Sequence, residues 1–115
     1  MPTLAEVEAF LAEFHARMKV WGVFFQDRRE KNTLAVFELG ITRNERIRVL
    51  EELNAMDYSE GPITDGDGGP ALWVFGKELK AQEIYIKITL GVTGDGKVVY
   101  ISFHAAEHPM KFPLR

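Results

Sequence analysis

An alternation of apolar and polar residues over positions 84–90 constrains the fold of this chain more than any other feature. Successive side chains of a β-strand point to opposite faces, so this segment predicts a strand with one apolar and one polar face. The segment Val98 to His104 alternates in the same way. Between the two lies Thr93-Gly94-Asp95-Gly96, a sequence typical of a tight turn. The two segments therefore predict an antiparallel hairpin.

The first half of the chain instead has apolar residues at the three- and four-residue spacing of amphipathic helices. Thr3 with Glu6, and Thr42 with Glu45, have the spacing of capping boxes, in which each side chain bonds a free backbone N–H of the first helical turn. These pairs predict helices that begin just after Thr3 and Thr42. The expected helices cover about residues 4–21, 28–38 and 43–53.

The remaining segments predict two more extended pieces and a loop. Residues 54–61 are expected to form a short edge strand, and residues 72–77 a further strand. Residues 63–70 are rich in Gly, Asp and Pro, and predict a flexible loop that binds no metal. A chain of 115 residues is long enough for one domain. We therefore expect a single α+β domain, residues 1–115, with N-terminal helices packed on a three- to four-stranded antiparallel sheet.

Composition excludes several classes of function. The chain has no cysteine, which excludes a disulfide framework, thiol catalysis and cysteine-bound zinc, and is typical of a cytoplasmic protein. No apolar stretch approaches the ~20 residues that cross a bilayer, so no membrane partner is expected. The net charge is −3, yet residues 71–115 hold six Lys and Arg against four Asp and Glu. The polar face of the predicted hairpin thus lies in the locally basic part of the chain.

Burial of the aliphatic residues against the helices leaves a set of polar residues on the other face of the sheet. Two hairpin registers agree with the alternation. With Gly94-Asp95 at the tip, Tyr85 lies opposite His104; with Asp95-Gly96 at the tip, Lys87 lies opposite His104. The expected polar set is Tyr85, Lys87, Tyr100, Ser102 and His104, with Lys77 as a further candidate.

These residue types suit the cleavage of RNA by its own 2′-hydroxyl group, a reaction that needs no metal. It requires a base for the 2′-hydroxyl proton, an acid for the leaving 5′-oxygen, and cations or donors around the phosphate. Histidine titrates near neutral pH, lysine binds phosphate, and tyrosine donates a hydrogen bond or stacks on a base. The same residues also occur on ordinary solvated sheet faces. A metal site built on His104, Glu107 and His108 is a weaker alternative, because Pro109 disfavours helical spacing there.

Several short segments over residues 39–104 occur in the order and spacing of a known family. The chain resembles the MqsR family of type II toxins (motility quorum-sensing regulator), small mRNA-cleaving endoribonucleases of RelE-like fold. The segments are Leu39-Gly40-Ile41, Val49-Leu50, Asp57-Tyr58, Trp73, Ile84-Tyr85-Ile86-Lys87-Ile88-Thr89 and Ile101-Ser102-Phe103.

The resemblance implies an mRNA-cleaving toxin that uses no metal or cofactor, and an antitoxin partner with a zinc ribbon and a helix-turn-helix. The family's functional tyrosine matches Tyr85. Its other functional positions fall on Glu60, Val74 and His104, which differ from the family's lysine, glutamine and lysine. Glutamate as general base with histidine as general acid is still a sufficient pair for this reaction.

We therefore assign expected roles to seven residues. His104 is the expected acid, Glu60 the expected base, and Tyr85 the third catalytic residue. The alternative function is a non-catalytic interaction module that binds a protein partner through the edge strand near Glu60. The residues expected to bind RNA or phosphate are Lys87, Lys77, Tyr100 and Ser102.

Overall fold

A computed structural model of the chain describes residues 2–25, 40–64, 71–90 and 99–115. The side chains of Phe24, Val99 and Tyr100 are not part of this description. The helix expected over residues 28–38, the loop positions 65–70 and the turn residues 93–96 lie outside the described residues.

Two helices begin where the capping boxes predict. Helix α1 spans Leu4–Trp21, and helix α2 spans Arg43–Glu51. The Thr3 hydroxyl accepts a bond of 3.2 Å from the Glu6 N–H, and the Thr42 hydroxyl accepts one of 3.1 Å from the Glu45 N–H. Both glutamates bond back to the backbone N–H of the capping threonine, so both capping predictions are confirmed.

The described residues form a five-stranded sheet with the order β1-β5-β4-β3-β2. Strands β2 to β5 pair antiparallel, which confirms the predicted α+β class. Strand β1 pairs parallel with β5 and adds a strand to the three or four that the sequence predicts. The strands are β1 (Phe24–Phe25), β2 (Tyr58–Ile63), β3 (Leu72–Leu79), β4 (Gln82–Leu90) and β5 (Val99–Ala105), and a short 3-10 helix, Ala55–Asp57, precedes β2.

The β4–β5 hairpin adopts one of the two registers that the sequence allows. Tyr85 pairs with His104, and Lys87 pairs with Ser102. This is the register expected for a turn centred on Gly94-Asp95, and the alternative that sets Lys87 against His104 is wrong.

The core lies between the helices and one face of the sheet. Phe75 of β3 is fully buried, and the ring of Phe10 on α1 stacks on that of Trp73 with centroids 4.4 Å apart. His15 is half-buried, and its Nε2 donates a 2.9 Å hydrogen bond to the Leu50 carbonyl, which ties α1 to α2. The other face of the sheet is therefore left to the polar residues. The fully buried sheet residues of the core are Phe75, Ile84, Ile86, Ile88 and Ile101, with Phe103 almost fully buried.

Candidate active site

The sheet face opposite the core carries a cleft of about 510 Å³. Its floor consists of Tyr85 and Lys87 from β4 with Ser102 and His104 from β5, four residues that the alternation placed together. Strand pairing explains the grouping, because paired residues of neighbouring antiparallel strands share a face. The cleft is lined by these four side chains, by Ser59 and Glu60 of β2, and by residues 106–111.

The rings of Tyr85 and His104 are stacked in the cleft. Their centroids are 4.8 Å apart and their planes are inclined by 18°. His104 Nδ1 lies 2.8 Å from the Ala105 carbonyl oxygen. Because a carbonyl only accepts, Nδ1 carries a proton, and Nε2 is the atom that can take up or release a second one. The stack and this bond hold the imidazole in one orientation.

The phenol of Tyr85 is a hydrogen-bond donor at neutral pH. Burial raises the pKa of Tyr85 above its ordinary value of 10.0, and the negative charge of Glu60 raises it further. Both effects disfavour the phenolate, so the proton remains on the oxygen. The effect of Glu60 also indicates that its carboxylate lies close enough to Tyr85 to act on it across the cleft.

Glu60 faces the cleft because the pairing of β2 is irregular. Tyr58 pairs with Phe75 and Glu60 pairs with Val74, so β2 has one extra residue at this point. In a regular strand Glu60 would share the face of Tyr58, which is buried in the core. The extra residue, a β-bulge, instead brings Glu60 to the cleft. Period-two reasoning could not have predicted this.

Gly61 is needed directly after the bulge. Its φ is +118°, a conformation that L side chains rarely adopt, and a Cβ there would lie 2.7 Å from the Leu72 carbonyl oxygen. The Tyr58 hydroxyl donates a hydrogen bond to the Gly61 carbonyl. This hydrogen bond and the close approach of Gly61 to Leu72 hold the wall of the cleft that carries Glu60.

Glu60 and His104 are both in the cleft, but on strands that are not neighbours. Strands β3 and β4 lie between them. Three interstrand spacings of about 4.8 Å place the Glu60 backbone roughly 14 Å from β5. The expected acid and base therefore do not touch each other, and Glu60 lies nearer to Tyr85 of β4.

Lys77 does not join the cleft, so this part of the sequence prediction is wrong. It pairs with Ile84, whose side chain belongs to the core, and paired residues share a face. Its Nζ lies 3.1 Å from Oδ2 of Asp57, a carboxylate that is only 5% exposed. The alternation of β3 places residues 73, 75 and 77 on the core side. The sequence did not determine which face of the sheet Lys77 would occupy.

Tyr100 pairs through its backbone with Thr89, and its side chain lies outside the described residues.

The C-terminal segment, residues 106–115, forms the second wall of the cleft. Glu83 anchors it twice: its carbonyl accepts a 2.9 Å bond from the Ala106 N–H, and its Oε1 accepts a 2.7 Å bond from the Met110 N–H. A Cβ on Gly76 would lie 2.8 Å from Met110 Sδ and from the Phe112 ring. The segment therefore crosses the sheet above Gly76, in close contact with β3.

The sequence pointed to this segment only through the weaker metal-site alternative with Glu107 and His108, and did not predict that it forms a wall of the cleft. The one signal for it is Gly76, since a glycine inside a strand often marks a close approach by another part of the chain. The segment adds His108 and Lys111 to the cleft, together with Glu107. Among the described residues, no three His, Asp or Glu side chains gather in a way that could hold a metal ion.

No protein-family model matches the chain, and no curated protein is significantly similar to it. In the part of the chain that the structure describes, neither helix is both long and apolar enough to cross a bilayer. The residues of the cleft are therefore the basis on which function is inferred.

Proposed function

We propose that the protein is an endoribonuclease that cleaves RNA by attack of a 2′-hydroxyl group on the adjacent phosphate. One observation carries the proposal: a histidine, a lysine, a tyrosine and a serine converge on the floor of one cleft. The cleft thus combines a group that exchanges protons near neutral pH, a cation and neutral donors. That is the set of groups that this reaction needs around one phosphate.

The reaction is a transesterification. The base takes the proton of the 2′-hydroxyl, O2′ bonds to phosphorus, and the bond between phosphorus and O5′ breaks. The acid gives a proton to the departing O5′. The products are a 2′,3′-cyclic phosphate and a 5′-hydroxyl, so atoms and protons balance without a co-reactant.

Each residue of the floor has a role in this scheme. His104 gives the proton to O5′ from Nε2, because Nδ1 is bonded to the Ala105 carbonyl. Lys87 neutralises charge on the phosphate oxygens, and Tyr85 donates a hydrogen bond from a phenol that stays protonated. Ser102 offers a further hydroxyl beside Lys87. One wall of the cleft carries Glu60, the base expected from the sequence.

The biological setting that we propose follows from the resemblance to the MqsR toxins and to their RelE-like fold. The substrate would be mRNA, in the cytoplasm, and a partner antitoxin with a zinc ribbon and a helix-turn-helix would neutralise the enzyme. Growth arrest on induction, relieved in a His104 variant, would support this setting.

The alternative is a non-catalytic module that binds a protein through the edge strand β2. That strand has less to offer a partner strand. Its pairing with β3 shifts register twice, and it contains Pro62, which has no N–H to donate. The edge is therefore poorly suited to regular strand addition, and the cleft is the better candidate for function.

The test is cleavage of a defined RNA oligonucleotide by the purified protein in the presence of a metal chelator. We expect fragments that end in a 2′,3′-cyclic phosphate and begin with a 5′-hydroxyl. An oligonucleotide methylated on every 2′-oxygen is the matched control, and should not be cleaved because it lacks the nucleophile. Intact RNA, or fragments with 3′-hydroxyl ends, would refute the proposal.

A further inference from the structure

The cleft contains a second imidazole that the expected mechanism does not use. His108 lies in the C-terminal segment and lines the same cleft as His104. It is exposed, so its ring can reach a ligand that enters the cleft. A histidine on the wall of the cleft and another on its floor provide two groups of the kind that exchanges protons near neutral pH.

The position of His108 is fixed from both sides by one residue. Ala106, two residues before it, donates its N–H to the Glu83 carbonyl at 2.9 Å. Met110, two residues after it, donates its N–H to Glu83 Oε1 at 2.7 Å. Pro109 further restricts the backbone of His108 to extended conformations. The chain between the two anchors is therefore a short, constrained bend rather than a free tail.

The two anchors also place His108 near His104. Glu83 lies two residues before Tyr85 on β4, so both belong to the same face of the sheet. His104 pairs with Tyr85. Four residues span at most about 14 Å, which limits the backbone separation of His104 and His108. The backbone of Glu60 lies roughly 14 Å from β5, so His108 is no farther from His104 than Glu60 is.

We propose that His108 is the general base of the reaction, a conclusion that rests on the proposed function. Its neutral imidazole takes the proton of the 2′-hydroxyl as O2′ bonds to phosphorus. The protonated imidazole of His104 gives its proton to O5′ as the bond from phosphorus to O5′ breaks. Exchange of both protons with water restores the starting state. In this scheme Glu60 acts on the pKa of Tyr85 and transfers no proton.

Two substrates distinguish an acid from a base. The first is an ordinary RNA dinucleotide step, and the second has sulfur in place of the bridging 5′-oxygen. A thiolate leaves without protonation, so loss of the acid is masked on the second substrate and loss of the base is not. The variants are His108→Gln, His104→Gln and Glu60→Gln. Glu78→Gln, which changes an exposed residue outside the cleft lining, serves as the matched control.

We expect His108→Gln to reduce kcat by ~10²–10⁴-fold on both substrates, the usual size of a lost acid or base. His104→Gln should lose activity by a similar factor on the ordinary substrate and recover on the sulfur substrate. Glu60→Gln should lose less kcat than His108→Gln on both substrates, and Glu78→Gln should match the wild type. Cooperative thermal unfolding of all four variants will show that the fold is intact, with only His104→Gln expected to be less stable because it loses the ring stacked on Tyr85.

Two outcomes overturn the inference, and they are distinguishable from failure of the proposed function. If the wild-type protein cleaves RNA and His108→Gln is as active as Glu78→Gln, His108 is not the base. If Glu60→Gln loses kcat on both substrates while His108→Gln does not, Glu60 is the base. If the wild-type protein produces no cyclic phosphate, the proposed function fails first and the role of His108 fails with it.

Discussion

The ring of Tyr85 lies against the imidazole of His104, with centroids 4.8 Å apart and planes inclined by 18°. This contact joins the central strand β4 to β5 at the floor of the cleft. It restricts rotation of the imidazole about its side-chain bonds, and the bond from Nδ1 to the Ala105 carbonyl restricts it further. The proton transfer that we assign to His104 therefore involves Nε2.

Replacement of His104 separates the stacking role from the proton-transfer role. His104→Phe keeps an aromatic ring against Tyr85 but has no nitrogen, and His104→Ala removes both. We expect both variants to lose RNA cleavage by ~10²–10⁴-fold. Only His104→Ala should also be less stable in chemical denaturation. Substantial cleavage by His104→Phe would show that the imidazole is not the acid.

Two lysines on opposite faces of the sheet form a matched pair of tests. Lys87→Ala should raise the KM for RNA and weaken inhibition by inorganic phosphate, because Lys87 lines the cleft. Lys77→Ala should leave KM unchanged but lower the free energy of unfolding by about 1–3 kcal/mol, since a buried carboxylate loses a partner. That carboxylate, Asp57, is only 5% exposed. An increase in KM for Lys77→Ala would contradict the observed orientation of β3.

The effect of the Glu60 charge on the pKa of Tyr85 should be measurable. Removing this charge in Glu60→Gln removes one of the two effects that raise the pKa of Tyr85. The pKa should therefore fall toward the ordinary value of 10.0 and remain above it, because burial, the larger cause, persists. NMR titration of ring-labelled tyrosine will measure the change. Tyr58, whose pKa Glu60 also raises, should shift in the same direction.

The raised pKa values of Tyr58 and Tyr85 also make the free energy of unfolding depend on pH in the alkaline range. The folded protein retains the phenolic protons of Tyr58 and Tyr85 at pH values where the unfolded chain, with an ordinary pKa of 10.0, has released them. The free energy of unfolding should therefore fall as the pH rises above 10.0, and fall less in Glu60→Gln. A pH-independent free energy of unfolding in this range would contradict the burial of both phenols.

Glu83 is expected to be a positioning residue for the wall that holds His108. Glu83→Ala removes the acceptor of the Met110 N–H and should reduce cleavage, whereas Glu83→Gln keeps an amide oxygen at that position and should largely restore it. Hydrogen exchange of the Met110 amide gives an independent measure, which should accelerate in Glu83→Ala alone. Equal activity of the two variants would show that the anchor is not needed.

The helix starts and the hairpin could be predicted from the sequence because local rules determine them. Capping boxes act within four residues, and the alternation of β4 and β5 reflects one buried face. Tyr85, Lys87, Ser102 and His104 could be placed on one face for that reason. Only the choice between two registers needed the structure.

The walls of the cleft could not be predicted in the same way, since they depend on contacts between distant segments. The extra residue at Ser59 and Glu60 reverses the side to which Glu60 points, and no alternation pattern records it. The course of the C-terminal segment depends on Glu83, more than 20 residues earlier in the chain. Lys77 was misplaced because the pattern of β3 reads almost equally well in both orientations, with Val74 and Phe75 both buried.

The position of the strands also determines which parts of the cleft can yield to a ligand. Strand β4, which carries Tyr85 and Lys87, has hydrogen-bonded neighbours on both sides, so its amides should exchange with solvent only through extensive unfolding. Strand β2, which carries Glu60, lies at the edge and its ladder is twice interrupted. Its amides should exchange through small local openings. We therefore expect a ligand to be admitted by movement of the Glu60 wall, while the aromatic and cationic floor keeps its geometry.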